Sequence, residues 1–531
     1  MQSRIFEVSL PSELTLHILY TMLRKIRIWL AAICFTGVTL LFLDFTGTIH
    51  AWLGWLAKIQ LLPAFLALNF GVVAAMVLLT LVLGRVYCSV ICPLGVMQDI
   101  MAWCGRKAKK NRYKYSPAKT WLRVTMLVLF VAAMVAGFVS AAALIAPYSA
   151  YGRIAQNLFA PVWQAGNNLL AYAAERLDSY SFYTVDIWIR GAGTFVVAAV
   201  TFAVLWVLAW RNGRTWCNTV CPVGTVLGFL SKWSLFRPVI DTSKCNGCGK
   251  CARNCKAACI DSKHHAIDYT RCVACMDCLE KCSKGAIIFE PRHVTAAIER
   301  AERIASEREA EGGNTDAAAG KEGMTRRKFL SLTAMLAATA AAKAQEKTVD
   351  GGLAVIEDKK IPNRKTPVVP AGAKSLRHFA QHCTGCQLCV SVCPNGVLRP
   401  SQRLESLMQP EMSFERGYCR PECTRCSEVC PTGAIRRTDR AEKSSTQTGH
   451  AVWVRENCVP LTAGDSCGNC ARHCPSGAIS MVLSDPSNHD SLRIPAVDTE
   501  RCIGCGACEN LCPARPFSAI YVEGHEVHRT I

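Results

Sequence analysis

Twenty-four of the 31 cysteines fall into six groups of four, and their spacing limits what the chain can become. Four groups read C-x2-C-x2-C-x3-C: Cys245/Cys248/Cys251/Cys255, Cys272/Cys275/Cys278/Cys282, Cys383/Cys386/Cys389/Cys393 and Cys502/Cys505/Cys508/Cys512. Two are stretched at the front, Cys419/Cys423/Cys426/Cys430 and Cys458/Cys467/Cys470/Cys474. At the short spacing, three thiolates wrap one face of a cubane [4Fe–4S] cluster and the fourth ligates a neighbouring cluster. Zinc would need two pairs separated by a finger-length loop. Cysteines crowded three within seven residues do not readily close disulfides. Pro394, Pro431, Pro475 and Pro513 follow the fourth cysteine of their groups, as in the ferredoxin run, whereas Lys256 and Ser283 follow Cys255 and Cys282. Six groups supply ligands for six [4Fe–4S] clusters, and a chain of one-electron centres is built to move electrons.

The 531 residues are too many for one domain, and a hydrophobic content of 51% is too high for an ordinary soluble one. The apolar residues concentrate in the first part of the chain. Four stretches there, near 28–45, 61–83, 122–146 and 192–210, reach the roughly 20 residues a bilayer crossing needs. The net charge of +20 is unevenly spread. Arg24, Lys25 and Arg27 precede the first stretch, Arg85 and a basic run from Arg106 to Lys119 separate the second from the third, and Arg211, Arg214, Lys232 and Arg237 follow the fourth. The positive-inside rule then predicts four spans with both ends of the bundle in the cytoplasm. The connection over 151–177 is amphipathic and is expected on the outer membrane face. Basic charge is topological on this reading, with no nucleic-acid signature.

Residues 293–323 are charged, alanine-rich and glycine-punctuated, which predicts a linker. Then comes Met324-Thr325-Arg326-Arg327-Lys328-Phe329-Leu330, an apolar run and a small-residue end at Ala342-Lys343-Ala344. A twin arginine ahead of a short apolar segment is a Tat-type export address, here internal, over 324–345. The alternative is a linker helix that happens to carry two arginines. With export, the four groups after residue 346 lie across the membrane from the two before it.

A weak internal repeat closes the second and fourth apolar stretches: Tyr87-Cys88-x3-Cys92-Pro93-x-Gly95 and Trp216-Cys217-x3-Cys221-Pro222-x-Gly224. The x3 spacing puts both sulfurs on one face of a helical turn. Three readings stay open: Cys88, Cys92, Cys217 and Cys221 bind a further iron centre, form a redox-active or quinol-contacting site, or pack as small residues. Trp103, Trp233, Tyr87 and Trp216 suit an interfacial belt better than the alternative of stacking on a quinone. Cys34, Cys104 and Cys259 have no partners by spacing and are expected to be structural.

With these features in view, the chain resembles a fusion of the NapH and NapG families, the membrane and periplasmic iron–sulfur subunits that oxidise quinol in periplasmic nitrate respiration. MauN and MauM are similar relatives. The NapH-like part covers about residues 20–290 and the NapG-like part 324–531. The implied fold is multidomain: a four-helix transmembrane bundle (1–237), a cytoplasmic two-cluster ferredoxin-like α+β module (238–292), and a second, four-cluster ferredoxin-like α+β domain in the periplasm (346–531). Ferredoxin logic pairs Cys245, Cys248 and Cys251 with Cys282, and Cys272, Cys275 and Cys278 with Cys255. Carried over from four-cluster relatives, outer runs pair with outer and inner with inner: Cys383, Cys386 and Cys389 with Cys512, Cys502, Cys505 and Cys508 with Cys393, Cys419, Cys423 and Cys426 with Cys474, and Cys458, Cys467 and Cys470 with Cys430.

The function implied is a quinol dehydrogenase of the bacterial inner membrane, passing electrons from the quinol pool to a periplasmic c-type cytochrome or molybdenum reductase. Two alternatives are an electron-supplying maturation factor for a periplasmic metalloenzyme and a relay fed by cytoplasmic ferredoxin. The sequence has no haem-attachment C-x-x-C-H and no dinucleotide fingerprint. Asp44 and His50 are possible proton acceptors for quinol oxidation, with capping or interfacial roles as the plainer reading.

Overall fold

The computed structural model describes residues 13–44, 46–109, 113–292 and 357–531. The linker over 293–323 and the twin-arginine segment over 324–345 lie outside the described residues.

Helix α1 (Glu13–Leu43) is unbroken, since no proline interrupts it and its one glycine, Gly37, lies where a Cβ would come within 2.6 Å of the Leu56 side chain. The second expected span is divided. A short helix over Leu61–Leu66 stops at Leu68, whose φ is 54°, and α2 (Phe70–Leu83) restarts with Asn69 accepting the Val72 N–H. Helix α3 (Pro93–Lys109) leads away from the first CxxxCP turn. The third expected span is divided too: α4 (Thr120–Val135) ends before Gly137, at φ 85°, and a separate turn covers Val139–Ala143. Then follow α5 (Pro147–Ile154), α6 (Ala160–Glu175), α7 (Ala192–Asn212) and α8 (Pro222–Ser231).

Among the described residues, two stretches, Leu19–Leu43 and Ala192–Asn212, are long and apolar enough to cross a membrane. Helices α2 and α4 have 14 and 16 residues. They span about 21 and 24 Å against a hydrocarbon core of about 30 Å. Helix length therefore supports two crossings where composition predicts four. The expected outer-face connection is also split. All eight residues of α5 are buried, with Tyr148 and Tyr151 packed on Phe42 of α1, whereas α6 is largely exposed.

The first cysteine-rich module is closed by β1 (Phe236–Ile240) pairing antiparallel with β4 (Ile287–Pro291), around a small hairpin of β2 (Ile260–Asp261) and β3 (Ala266–Ile267). In the second, β5 (Leu398–Pro400) pairs with β6 (Pro410–Met412), β7 (Thr446–Trp453) with β10 (Ile520–Thr530), and β8 (Ile479–Leu483) with β9 (Arg493–Val497). Both modules are α+β, with cysteine loops between two-stranded ladders.

The two modules sit against opposite ends of α1. Near its start, Arg24 pairs with Asp277 at 2.8 Å and Glu280 at 2.5 Å in the first module. Just past its end, Gly47 lies against the guanidinium of Arg425 in the second. The helix between them, from Arg24 to Leu43, covers about 29 Å. A buried apolar core runs from Ile260 and Leu279 through Phe42, Leu94 and Tyr148 to Leu388, Val390 and Phe414. A smaller core holds Ala451, Ile479 and Ile520 around the last two cysteine groups.

Candidate iron–sulfur centres

In all four short-spaced groups, the chain curls round through the same two left-handed residues. These are Gly247 and Gly249, Ala274 and Met276, Gly385 and Gln387, and Gly504 and Gly506, at φ between 47° and 78°. Each pair precedes the third cysteine, which a short helix presents. Glycine adopts this conformation freely, whereas a side chain there costs about 1–2 kcal/mol. The Met276→Gly variant is therefore expected to stabilise the first module by about 1 kcal/mol, read as an upward shift of its thermal unfolding midpoint.

The thiols gather into six sets of four. Cys245, Cys248 and Cys251 line one cavity with Cys282, and Cys272, Cys275 and Cys278 line another with Cys255, the exchange the sequence predicts. In the second module the partners differ from the outer–inner scheme. Cys419, Cys423 and Cys426 share a cavity with Cys393. Cys430 lies within electrostatic range of Cys383, Cys386 and Cys389. Cys512 joins Cys458, Cys467 and Cys470, and Cys474 joins Cys502, Cys505 and Cys508. Neighbouring groups therefore pair, first with second and third with fourth. The physical reason is chain reach: β5 and β6 fold Cys393 back beside Cys419, and β7 and β10 enclose the last two groups in their own core.

The sets fit cubane clusters. Three of the cavities are each lined by all four thiols of one set, which matches the four iron corners of a cubane. Among the described residues no three His, Cys, Asp or Glu close to the tight separation of a single-ion site. Burial pushes the Cys386 and Cys505 thiols up to about 12; as thiolate ligands they need the positive charge of iron beside them. Bound clusters would supply one-electron redox chemistry, and the chain's part is to hold them in line. The Cys419 N–H donates to the Cys505 carbonyl at 2.9 Å, which joins the two halves of the second module.

Cys255 and Cys282 have the same extended backbone as Cys430 and Cys512 although no proline follows them. Lys256 takes the proline's place for another purpose. Its buried ammonium pairs with Asp99 at 2.9 Å and Asp277 at 3.2 Å, tying the module to α3. Asp99 also meets Arg214 at 2.7 Å and Arg27 at 3.4 Å. Burial alone would raise the Asp99 carboxyl, but Arg214, Lys256 and Arg27 outweigh it and hold it well below the usual carboxylate range. Cys259, expected to be merely structural, has its sulfur 3.5 Å from that of Cys255 and lines the same cluster cavity.

The two CxxxCP turns converge. Cys88, Cys92, Cys217 and Cys221 are all buried, and their thiols lie within electrostatic range of one another. The repeat extends further back than the cysteines suggest, to Arg85 and Arg214, each three residues before the first thiol. These arginines cross over. Arg85 Nη2 donates to the Cys217 carbonyl at 3.2 Å, and Arg214 Nη1 to the Cys88 carbonyl at 2.5 Å. Each is fully buried, so two of the charges read as topological markers are structural. Gly95 and Gly224 complete the symmetry: a Cβ on either would come 2.2 Å from the Cys88 or Cys217 carbonyl. The Gln98 amide donates to the Cys217 sulfur at 3.2 Å. Four thiols held by two crossed arginines fit a site shared by the two halves of the repeat better than incidental packing.

Each side of this thiol site leads to a cluster set. Arg85 Nη1 donates to the Thr270 carbonyl at 3.1 Å, two residues before Cys272. Tyr87 reaches Gln60 at 3.0 Å and lies within electrostatic range of Tyr148, which is in turn in range of Cys386 and Cys430. Asp44 and His50 take the plainer role: Asp44 accepts the backbone N–H groups of Thr46, Gly47 and Ile49, and His50 Nδ1 lies 3.1 Å from its carboxylate. Trp103 and Trp233 are exposed, as a belt requires, but Tyr87 is core.

Two families match this chain. A 4Fe-4S binding domain matches at 65–111 and again at 193–240, once on each CxxxCP turn. A 4Fe-4S dicluster domain matches at 382–434, 418–478 and 464–515. Among curated proteins, the putative electron transport protein YccM of Escherichia coli is 25% identical over 45% of this chain and 60% of its own length. The ferredoxin-type protein NapH of Escherichia coli is 25% identical over 44% of this chain and 72% of its own. The methylamine utilization ferredoxin-type protein MauM of Methylobacillus flagellatus is 32% identical over 30% of this chain and 70% of its own. The chain thus spans less than two thirds of the length of YccM. No solved structure matches.

Proposed function

Because the chain belongs to the ferredoxin-type [4Fe–4S] electron-transport proteins that include MauM, we propose that it is an inner-membrane quinol dehydrogenase carrying six clusters. The helices at 1–237 cross the membrane four times, with the broken second and third segments completed by their short flanking helices. The first module faces the cytoplasm and the second the periplasm. Electrons from membrane quinol pass along the Cys383, Cys419, Cys502 and Cys458 sets to a c-type cytochrome or molybdenum reductase outside. The internal twin arginine serves export of the second module.

The observation that carries this reading is the placement of the modules at opposite ends of α1, with thiol sets leading from one to the other. The four CxxxCP cysteines fit a further iron centre midway. Arg85, which ties that site to the Cys272 loop, favours a second reading, in which electrons also enter from a cytoplasmic ferredoxin.

Topology tests the arrangement. A reporter fused after Ile531 that matures only outside the cytoplasm is expected to be active, and changing Arg326 and Arg327 to Lys is expected to abolish that activity. A reporter active only in the cytoplasm would overturn the outward direction.

A further inference from the structure

A cavity of about 520 Å³ lies where the first module meets the bundle, between the start of α4, the end of α7 and the loop that leads to Cys272. Tyr113 and Tyr115 wall it, and four cations line it: Lys114, Lys119, Arg211 and Arg271. Among the described residues no Asp or Glu does so. The segment from Tyr113 to Lys119 is tied to the module. Arg271 Nη1 donates to the Ser116 carbonyl at 2.6 Å, and the Ser116 N–H donates to the Ala258 carbonyl at 3.4 Å.

Positive charge is in excess behind this cavity. Arg85, Arg123 and Arg271 are 0%, 1% and 4% exposed. Arg85 and Arg123 both donate to the Thr270 carbonyl, at 3.1 and 3.2 Å. Asp268 is in electrostatic range of Arg123 and accepts from Arg271 Nε at 2.6 Å. Arg271 Nη2 is buried with no partner among the described residues. A cluster on the Cys272 set would answer Arg85, which lies within electrostatic range of that thiol. Arg123 and Arg271 are then left to one carboxylate. At the mouth, Lys114, Lys119 and Arg211 are exposed and add three more charges. Buried cations need a counter-charge, and an anion in the cavity supplies it.

The cavity also lies at the level where two apolar helices end, since α4 begins at Thr120 and α7 stops at Asn212. Trp121, next to it on α4, is 71% exposed, and Val124 and Val128 continue the same exposed face along the helix. An anion with apolar chains would find its charge among the cations and its chains along α4.

We propose that this cavity binds the phosphate headgroup of an anionic phospholipid, an assignment that rests on the membrane-spanning reading of α4 and α7. The phosphodiester lies between Lys119 and Arg211 on the bundle and Arg271 on the module. The lipid thereby fastens the loop before Cys272 to the membrane surface.

The test uses the full chain with its clusters in place, and phosphatidylglycerol in phosphatidylcholine nanodiscs as the probe. Native mass spectrometry is expected to show one phosphatidylglycerol retained per wild-type chain. Lys119→Gln combined with Arg211→Gln is expected to weaken that binding roughly thirtyfold, the usual contribution of two interfacial cations. Lys107→Gln combined with Lys232→Gln removes the same charge outside the cavity and should leave binding near wild type. Both pairs should keep the wild-type electron paramagnetic resonance (EPR) spectra of the clusters, which separates lost lipid from lost fold. Equal weakening by the two pairs would reduce the site to general surface attraction and overturn the assignment. A wild-type chain that retains no phosphatidylglycerol would overturn it without any variant. Inorganic phosphate that binds as tightly as the lipid would overturn it too, by giving the cavity to a soluble anion. In each of these cases the membrane reading stands. A chain recovered in solution without detergent or lipid would remove both.

Discussion

Replacing Cys383 and Cys430 together by alanine is expected to cost no more iron than replacing either alone, about four atoms per chain. Both thiols belong to one set, so the second substitution removes a ligand from a cluster already lost. The pair Cys383 and Cys512 is expected to cost about eight, because Cys512 serves the Cys458 set. Outer–inner pairing predicts the reverse, with Cys383 and Cys512 as the redundant pair. Iron and acid-labile sulfide per chain, measured on protein that retains its first module, separate the two schemes. The non-additivity between thiols in one set carries the result, so a general loss of yield does not imitate it.

Asp99→Asn is expected to destabilise the bundle by about 3–5 kcal/mol, the usual cost of leaving buried charge unpaired. Arg214 is fully buried, Lys256 nearly so, and Arg27 leans on the same carboxylate. The substitution keeps the side chain's shape and removes only its charge. Arg214 would keep its bond to the Cys88 carbonyl but lose its counter-charge, so the CxxxCP turns should loosen along with the first module. Thermal unfolding in detergent and the thiol reactivity of Cys88 and Cys217 report the two effects. A midpoint within a degree or two of wild type would show that water, not Asp99, compensates these cations.

The cysteine spacing made the candidate ligand thiols legible, because a cubane needs its thiolates within a few residues of one another. It also gave the exchange of Cys255 and Cys282 in the first module. It could not give the pairing in the second, where which group is nearest depends on how β5, β6, β7 and β10 fold the chain between groups. Hydropathy found α1 and α7 but not the breaks at Leu68 and Gly137, since a composition average is blind to single left-handed residues. Arg85 and Arg214 were visible as charges, but their role was not, although equal distance from Cys88 and Cys217 was the available signal. The missing proline after Cys255 looked like a weakened turn, and it marks instead where Lys256 docks the module.

The most direct test of electron flow from membrane quinol outward is anaerobic reduction of the purified full chain by decylubiquinol, followed by EPR at low temperature. The account predicts reduction of clusters in the second module, with that signal lost when the Cys383 set is removed and kept when Cys245, Cys248 and Cys251 are replaced. Clusters that stay oxidised with quinol, yet are reduced from the cytoplasmic side by ferredoxin through the Cys245 and Cys272 sets, would contradict it.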